Sequence, residues 1–174
     1  MNIRIRTGVP ADAAGLADLA ARTFRDTFAA DNNPEDLTVH MAQAYGPIQQ
    51  GRELEDPDIA TLLVDVGEEL AAYAQLRRGP VPPCVTADAP IELWRFYVSQ
   101  GWHGRGIAQA LMRRVEEDAG RAGARTLWLG VWERNERAKA FYRKCGFVDV
   151  GTHVFMVGSD AQTDHIMVRP IAGS

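Results

Sequence analysis

A strand that runs into a glycine turn and then into a long amphipathic helix constrains this chain more than any other segment. Ile91 to Val98 is dense in aromatic and branched side chains and reads as a strand. After a short link, Gly104-Arg105-Gly106-Ile107-Ala108 opens a helix expected to run from Gly104 to about Arg121. Ile107, Ala108, Leu111, Met112, Val115 and Ala119 fall on one face of it. A helix start carries unpaired main-chain N–H groups and partial positive charge, which together favour an anionic phosphate. Glycines at 104 and 106 allow close approach to the main chain and a positive φ. Taken alone, the pair fits a tight strand-to-helix connection equally well. Two nucleotide motifs are excluded. A P-loop ends in Gly-Lys-Ser/Thr, whereas Gly106 is followed by Ile107-Ala108. The dinucleotide fingerprint spaces its glycines differently and follows the first strand of a βαβ unit, whereas this turn comes late in the chain.

The rest of the chain punctuates cleanly. Ile3 and Ile5 alternate with Arg4 and Arg6 as a first strand, which is not the pattern of a signal peptide. Pro10 opens a helix through Leu16, Leu19 and Phe24, and Pro34 opens a second through Leu37, Met41 and Ala44, which Gly46-Pro47 is expected to stop. Ile59–Val66 and Leu70–Leu76 form a hairpin around Gly67. Arg77 to Pro90 is proline-rich and reads as a surface loop holding Cys84. Thr126–Trp132 is a strand and Glu136–Cys145 a helix closed by Gly146. Phe147–Val157 and Asp164–Arg169 are final strands about a turn at Gly158-Ser159-Asp160. The order is β-α-α-β-β-β-α-β-α-β-β over a single domain, residues 1–174, an α/β chain with a mixed sheet.

Composition narrows the function. The 174 residues are 46% hydrophobic and 24% charged, enough to bury a core without staples. A net charge of −4 with no long basic run argues against nucleic acid and favours a cationic or neutral small substrate. Cys84 and Cys145 fit no metal-ligand spacing, so no metal is expected, and a reducing cytoplasm is the simplest location. No apolar run approaches the roughly 20 residues of a membrane helix.

Two motifs carry a resemblance. His103-Gly104-Arg105-Gly106-Ile107-Ala108 is similar to the Gln/Arg-x-x-Gly-x-Gly/Ala signature of the GNAT acetyltransferases, with His103 in place of the usual first residue. Asn135-x-x-Ala138-x-x-Phe141-Tyr142-x-x-x-Gly146-Phe147 follows at the matching distance, with Leu127 to Trp132 between. More narrowly, Glu92 to Val98, Trp128 to Asn135, Phe24 to Phe28 and the closing segments resemble the PaiA-type branch, which includes polyamine acetyltransferases. The resemblance implies a three-layer fold with a splayed central sheet. It also implies transfer of acetyl from acetyl-CoA to a primary amine by direct attack.

The same resemblance implies the site. Phe96, Tyr97 and Val98 form the strand segment whose main chain would pair with the pantetheine arm. The amides of Gly104, Arg105, Gly106, Ile107, Ala108 and Gln109 would hold the pyrophosphate, with His103 a further donor. Asn135 would bond the pantetheine side or cap its helix, and Tyr142 would protonate the leaving thiolate. Glu92, placed by simple alternation on one face with Trp94 and Phe96, is the expected base; Arg95, on the opposite face, is expected in a structural ion pair. Asp26, Asp31, Glu35 and Asp36 flank the expected acceptor pocket, as solvated helix-start charges or as ligands for ammonium groups. His40, His153 and His165 carry no spacing signal. A non-catalytic acyl-CoA sensor and a protein N-terminal acetyltransferase are the alternatives, and the exposed loop and last strands leave room for a homodimer.

Overall fold

The computed structural model describes residues 1–173. The elements are β1 (Ile3–Thr7), α1 (Ala13–Phe28), α2 (Pro34–Ala44), α3 (Pro47–Glu55), β2 (Ile59–Val66), β3 (Glu69–Arg77) and β4 (Pro90–Val98). They continue with α4 (Ile107–Arg121), β5 (Thr126–Trp132), α5 (Glu136–Lys144), β6 (Val148–Val157) and β7 (Asp160–Pro170). The strands make one seven-stranded sheet in the order β1-β2-β3-β4-β5-β7-β6, and every pairing but β4–β5 is antiparallel.

Both sheet faces are covered, which makes three layers. On one face Ile107, Leu111, Met112, Val115 and Ala119 of α4 pack on Leu93, Leu127 and Leu129. On the other, Leu16, Leu19, Phe24 and Phe28 of α1 and Leu37 of α2 pack on Leu63, Tyr73 and Trp132. α1 shows why apolar residues at a spacing of three and four bury a stripe rather than a ring: Leu16, Leu19, Ala20 and Phe24 are all buried.

Pro47 does not stop the helical region; it begins α3 as a first-turn residue. Tyr45 ends α2, and Gly46, with extended backbone, caps the next helix. α3 is legible only in three dimensions because the residues it buries include Gln50 and Glu53, which are polar. Glu53 meets Arg95 of β4 at 2.6 Å, and Arg95 also donates to Gln75 at 2.8 Å. Gln49 and Gln75 donate to the Glu53 carboxylate at 3.1 and 3.2 Å, so both of its oxygens are satisfied. Arg95 does take the structural ion pair expected of it.

The proline-rich loop folds back over the sheet. Val85 is buried with Trp128 and Ile166, and Cys84 lies so close to Gly151 that a Cβ there would meet it at 2.8 Å. β7 starts at Asp160 rather than Asp164, which lengthens the terminal hairpin. Its register places Val157 opposite Asp160 and His153 opposite Asp164.

Candidate active site

The two halves of the sheet are joined over three residue pairs only: Pro90–Thr126, Ile91–Leu127 and Glu92–Trp128. Beyond them β4 stays with β3 as far as Val98, while β5 stays with β7 as far as Trp132. The strands therefore diverge, and a cleft of about 820 Å³ occupies the gap, open to both faces of the sheet. Phe96, Tyr97 and Val98 border one side of it, and Gly130, Val131 and Trp132 the other. Main-chain groups on these facing edges lack a neighbouring strand.

At one end of the cleft stands the N-terminus of α4. The helix starts at Ile107, three residues later than expected, because Gly104 and Gly106 take φ of +74° and +80° and belong to the turn. The first helical bond runs from the Ala110 N–H to the Gly106 carbonyl at 3.1 Å. The N–H groups of Ile107, Ala108 and Gln109 come before it and have no intrahelical acceptor. Ile107 is buried and anchors the turn, and a Cβ at either glycine would meet nothing within 4 Å. What the glycines supply is the left-handed backbone, beside open space an anion can enter. Arg105 is exposed, with its guanidinium over the Trp102 ring at 5.1 Å.

His103 is engaged at both ring nitrogens. Its Nε2 lies 2.7 Å from the Val98 carbonyl, and its Nδ1 lies 2.6 Å from Nη1 of Arg137 on α5. Arg137 can only donate and the carbonyl can only accept, so these contacts need a neutral ring with its proton on Nε2. His103 thus ties the end of β4 to α5 across the mouth of the cleft.

α5 carries two expected residues. Asn135 caps it, accepting from the Ala138 N–H at 3.1 Å, while its own N–H donates to Trp132 at 2.9 Å. The capping role is present, and the residue also lines the cleft. Tyr142 sits in the core with its ring edge-on to Phe96 and Phe147, at 6.2 and 5.7 Å. Phe141 stacks on Phe96 at 5.7 Å. The Tyr142 hydroxyl reaches the cleft and accepts no hydrogen bond there, and burial pushes its pKa well above the usual phenol range. It is a phenol that keeps its proton at neutral pH.

Alternation fails on β4. Gln75 of β3 pairs with Arg95 but Leu76 pairs with Leu93, so Trp94 is the extra residue of a β-bulge. Leu93 and Phe96 both face α4 and α5, and Arg95 and Tyr97 face the α1 side. Glu92 therefore shares its face with Trp94 and Arg95 and not with Phe96, which corrects the expectation from simple alternation. Its Oε2 accepts from Arg77 Nε at 2.9 Å and Nη2 at 2.7 Å. Burial raises the Glu92 pKa, and Arg77 opposes the rise.

Two further polar residues line the α1 side: Asp164 of β7 and His153 of β6. Asp164 is 8% exposed, and neither of its carboxylate oxygens has a hydrogen-bond partner among the described residues. Burial pushes its pKa up to about 6, with His153 and His165 pulling less strongly downward. Sequence reasoning found no spacing signal at His153 and passed over Asp164. The turn at Gly158-Ser159 would have paired them, since a two-residue turn sets the hairpin register. Of the four acids around α1 and α2, only Asp26 reaches the cleft. Asp36 binds Ser159 through N–H and hydroxyl contacts of 3.1 and 2.9 Å, and Asp31 lies 3.9 Å from Arg134. His40 stacks on Phe24 at 4.7 Å beside the cleft, and His165 faces Asp149 at 3.0 Å.

Residues 16–147 match the acetyltransferase (GNAT) family, and they include the split strands, the glycine turn and both α5 residues. The chain belongs to the GNAT family. An uncharacterised N-acetyltransferase of Mycobacterium bovis is 36% identical over 160 residues, 92% of this chain and 98% of that protein. An aminoglycoside N(6')-acetyltransferase type 1 of Stenotrophomonas maltophilia is 29% identical over 152 residues, 87% of this chain and 90% of that one. The PaiA N-acetyltransferase of Thermoplasma acidophilum, solved in complex with coenzyme A, shares the fold at a TM-score of 0.82 with 22% identity, over 98% of this chain and 99% of that one. This GNAT protein is an acetyltransferase, and its co-substrate is acetyl-CoA. Its residues fit that molecule: free amides at the start of α4 suit a pyrophosphate, and the unpaired strand edges suit an arm that carries amides of its own.

Proposed function

We propose that this acetyltransferase moves acetyl from acetyl-CoA to a small primary amine by direct attack, with a polyamine as the first candidate acceptor. One observation carries the reading. A single cleft joins the free helix N-terminus and the Tyr142 hydroxyl on one face of the sheet to a pocket with Glu92 and Asp164 on the other. Phosphate and thioester enter where main-chain donors wait, and a cation enters where carboxylates do. Aromatic walls from Trp94, Trp132 and Phe155 suit the alkyl and ammonium parts of an amine.

Position supports the following roles. Main-chain groups of Phe96, Tyr97 and Val98 receive the pantetheine arm. The amides from Gly104 through Gln109 hold the pyrophosphate, and Asn135 sits beside the arm. Tyr142 donates its proton to the leaving thiolate. Glu92, held by Arg77 through one oxygen, keeps the other for the substrate ammonium. The amine nitrogen attacks the thioester carbonyl, the C–S bond breaks, the sulfur leaves with the Tyr142 proton, and the proton that the nitrogen sheds on becoming an amide returns through solvent to the Tyr142 oxygen.

Likeness to the aminoglycoside enzyme supports a second acceptor class, an amino sugar, which is also polycationic. A mass-shift screen with acetyl-CoA and a panel of spermidine, an aminoglycoside and N-terminal peptides separates these readings. Acetylation of spermidine supports the polyamine, and hits confined to the other arms replace it. Binding of CoA without turnover on any amine would leave a sensor. Tyr142→Phe should lower kcat by about 100-fold or more while the acetyl-CoA dissociation constant stays near wild type. Normal turnover of that variant removes Tyr142 from the mechanism.

A further inference from the structure

The proton on the incoming amine needs a destination, and this inference rests on the amine-acetylation reading above. A primary amine is an ammonium near neutral pH and has no electron pair to attack with. The bulge in β4 places Glu92 on the acceptor face, yet its Oε2 is fixed by two Arg77 contacts of 2.7 and 2.9 Å. Burial raises the Glu92 carboxyl, but the guanidinium opposes that rise and occupies one of its two oxygens.

Asp164 is different in kind. It is 8% exposed, lines the cleft and has no hydrogen-bond donor on either oxygen among the described residues. The residue is mostly buried, but its oxygens are not among the buried atoms left without a partner, so the carboxylate opens to the cleft and is placed to meet a cation arriving from it. The fold also makes room for it. Gly130, on the free edge of β5, has no side chain, and a Cβ there would meet Asp164 Oδ2 at 3.0 Å. We propose that Asp164 is the proton acceptor of the reaction. An N–H bond of the bound ammonium breaks and an O–H bond to the Asp164 carboxylate forms. The nitrogen keeps the electron pair and uses it on the thioester carbonyl.

The groups that face Asp164 are few. His153 lies directly opposite on β6, and His165 follows on β7 but turns to Asp149. Glu92 and Arg77 stand across the split, Asp26 and His40 line the cleft from the helical layer, and β5 presents Trp128, Gly130 and Trp132, which carry no charge. Burial in these surroundings raises the carboxyl to about 6. Such a group is ionised at neutral pH and still basic enough to accept a proton.

The test is the pH dependence of kcat/KM for spermidine with saturating acetyl-CoA. Wild type should rise through about pH 6 to a plateau, the limb of a single carboxylate base. Asp164→Asn should lose about 100-fold or more near neutral pH, then climb about tenfold per pH unit as free amine forms in solution. Its acetyl-CoA dissociation constant should stay within about twofold of wild type. Glu92→Gln should lower the plateau and keep the limb. Gly130→Ala, which crowds the carboxylate but keeps its charge, should also lower kcat. An unchanged profile in Asp164→Asn, or loss of the limb in Glu92→Gln instead, overturns the assignment while amine acetylation stands. A wild-type protein that acetylates no amine sinks both.

Discussion

A mostly buried carboxylate with no hydrogen-bond donor among the described residues is a desolvation cost that the folded protein carries. Asp164 has its pKa raised from 3.8 to about 6, so the native state holds its proton more tightly than the unfolded chain does between those values. The stability this contributes is complete below about pH 4 and is lost as pH rises through about 6. A displacement of that size corresponds to at most about 3 kcal/mol. Asp164→Asn should therefore unfold at higher denaturant than wild type at pH 8, by about 1–3 kcal/mol, and match it at pH 4. A variant less stable than wild type at pH 8 would mean that Asp164 has a structural partner. Gain of stability with loss of activity is the usual signature of a functional group held in an unfavourable place. Tyr142 is core packing in its ring, which leaves only its hydroxyl for the donor role proposed for it.

Among the elements, β4 and α3 depend on one another. The bulge at Trp94 turns Arg95 toward the α1 side, where its guanidinium lies over Trp94 at 3.7 Å and Tyr45 at 4.8 Å. Glu53 from α3 then neutralises it, with side chains 3% and 8% exposed. Such a pair adds little net stability against an apolar substitute, but removal of one partner strands a buried charge. Glu53→Ala should cost about 3–5 kcal/mol in equilibrium unfolding and lower activity, because the bulge that aims Glu92 and Trp94 would lose its brace. A cost under about 1 kcal/mol would show that water reaches Arg95. Nothing in local sequence announces this arrangement. α3 has a polar buried face, so hydrophobic periodicity is silent about it, and Pro47 reads as a stop as readily as a start. The apolar stripes of α1 and α4 were legible because their buried residues follow a helical period.

For the whole molecule, the split between β4 and β5 separates two half-sheets that meet through three residue pairs. One half holds β1 to β4 and the other β5, β7 and β6. Acetyl-CoA lying between them would contact both, and would stabilise the folded state by mass action. At a concentration about 100 times its dissociation constant the gain should be about 2.7 kcal/mol, read as a rise in Tm that depends on concentration. Amide exchange should slow most at Phe96 to Val98 and at the start of α4. A ligand-independent Tm would remove the binding site from this cleft.

The glycine turn, the helix it opens, the cap at Asn135 and the phenol at Tyr142 were written in the order of residues, because each depends on neighbours within a turn or two of chain. Family and co-substrate followed from those local patterns. The tertiary structure alone decided which residues meet across the split. Glu92 and Phe96 part company because a bulge adds one residue to one strand. His103 spends both nitrogens on Val98 and Arg137, and Asp164 reaches the cleft because Gly130 leaves space on a strand distant in sequence. Such placements depend on register and on the facing of sheet and helix, which are properties of distant segments meeting in space.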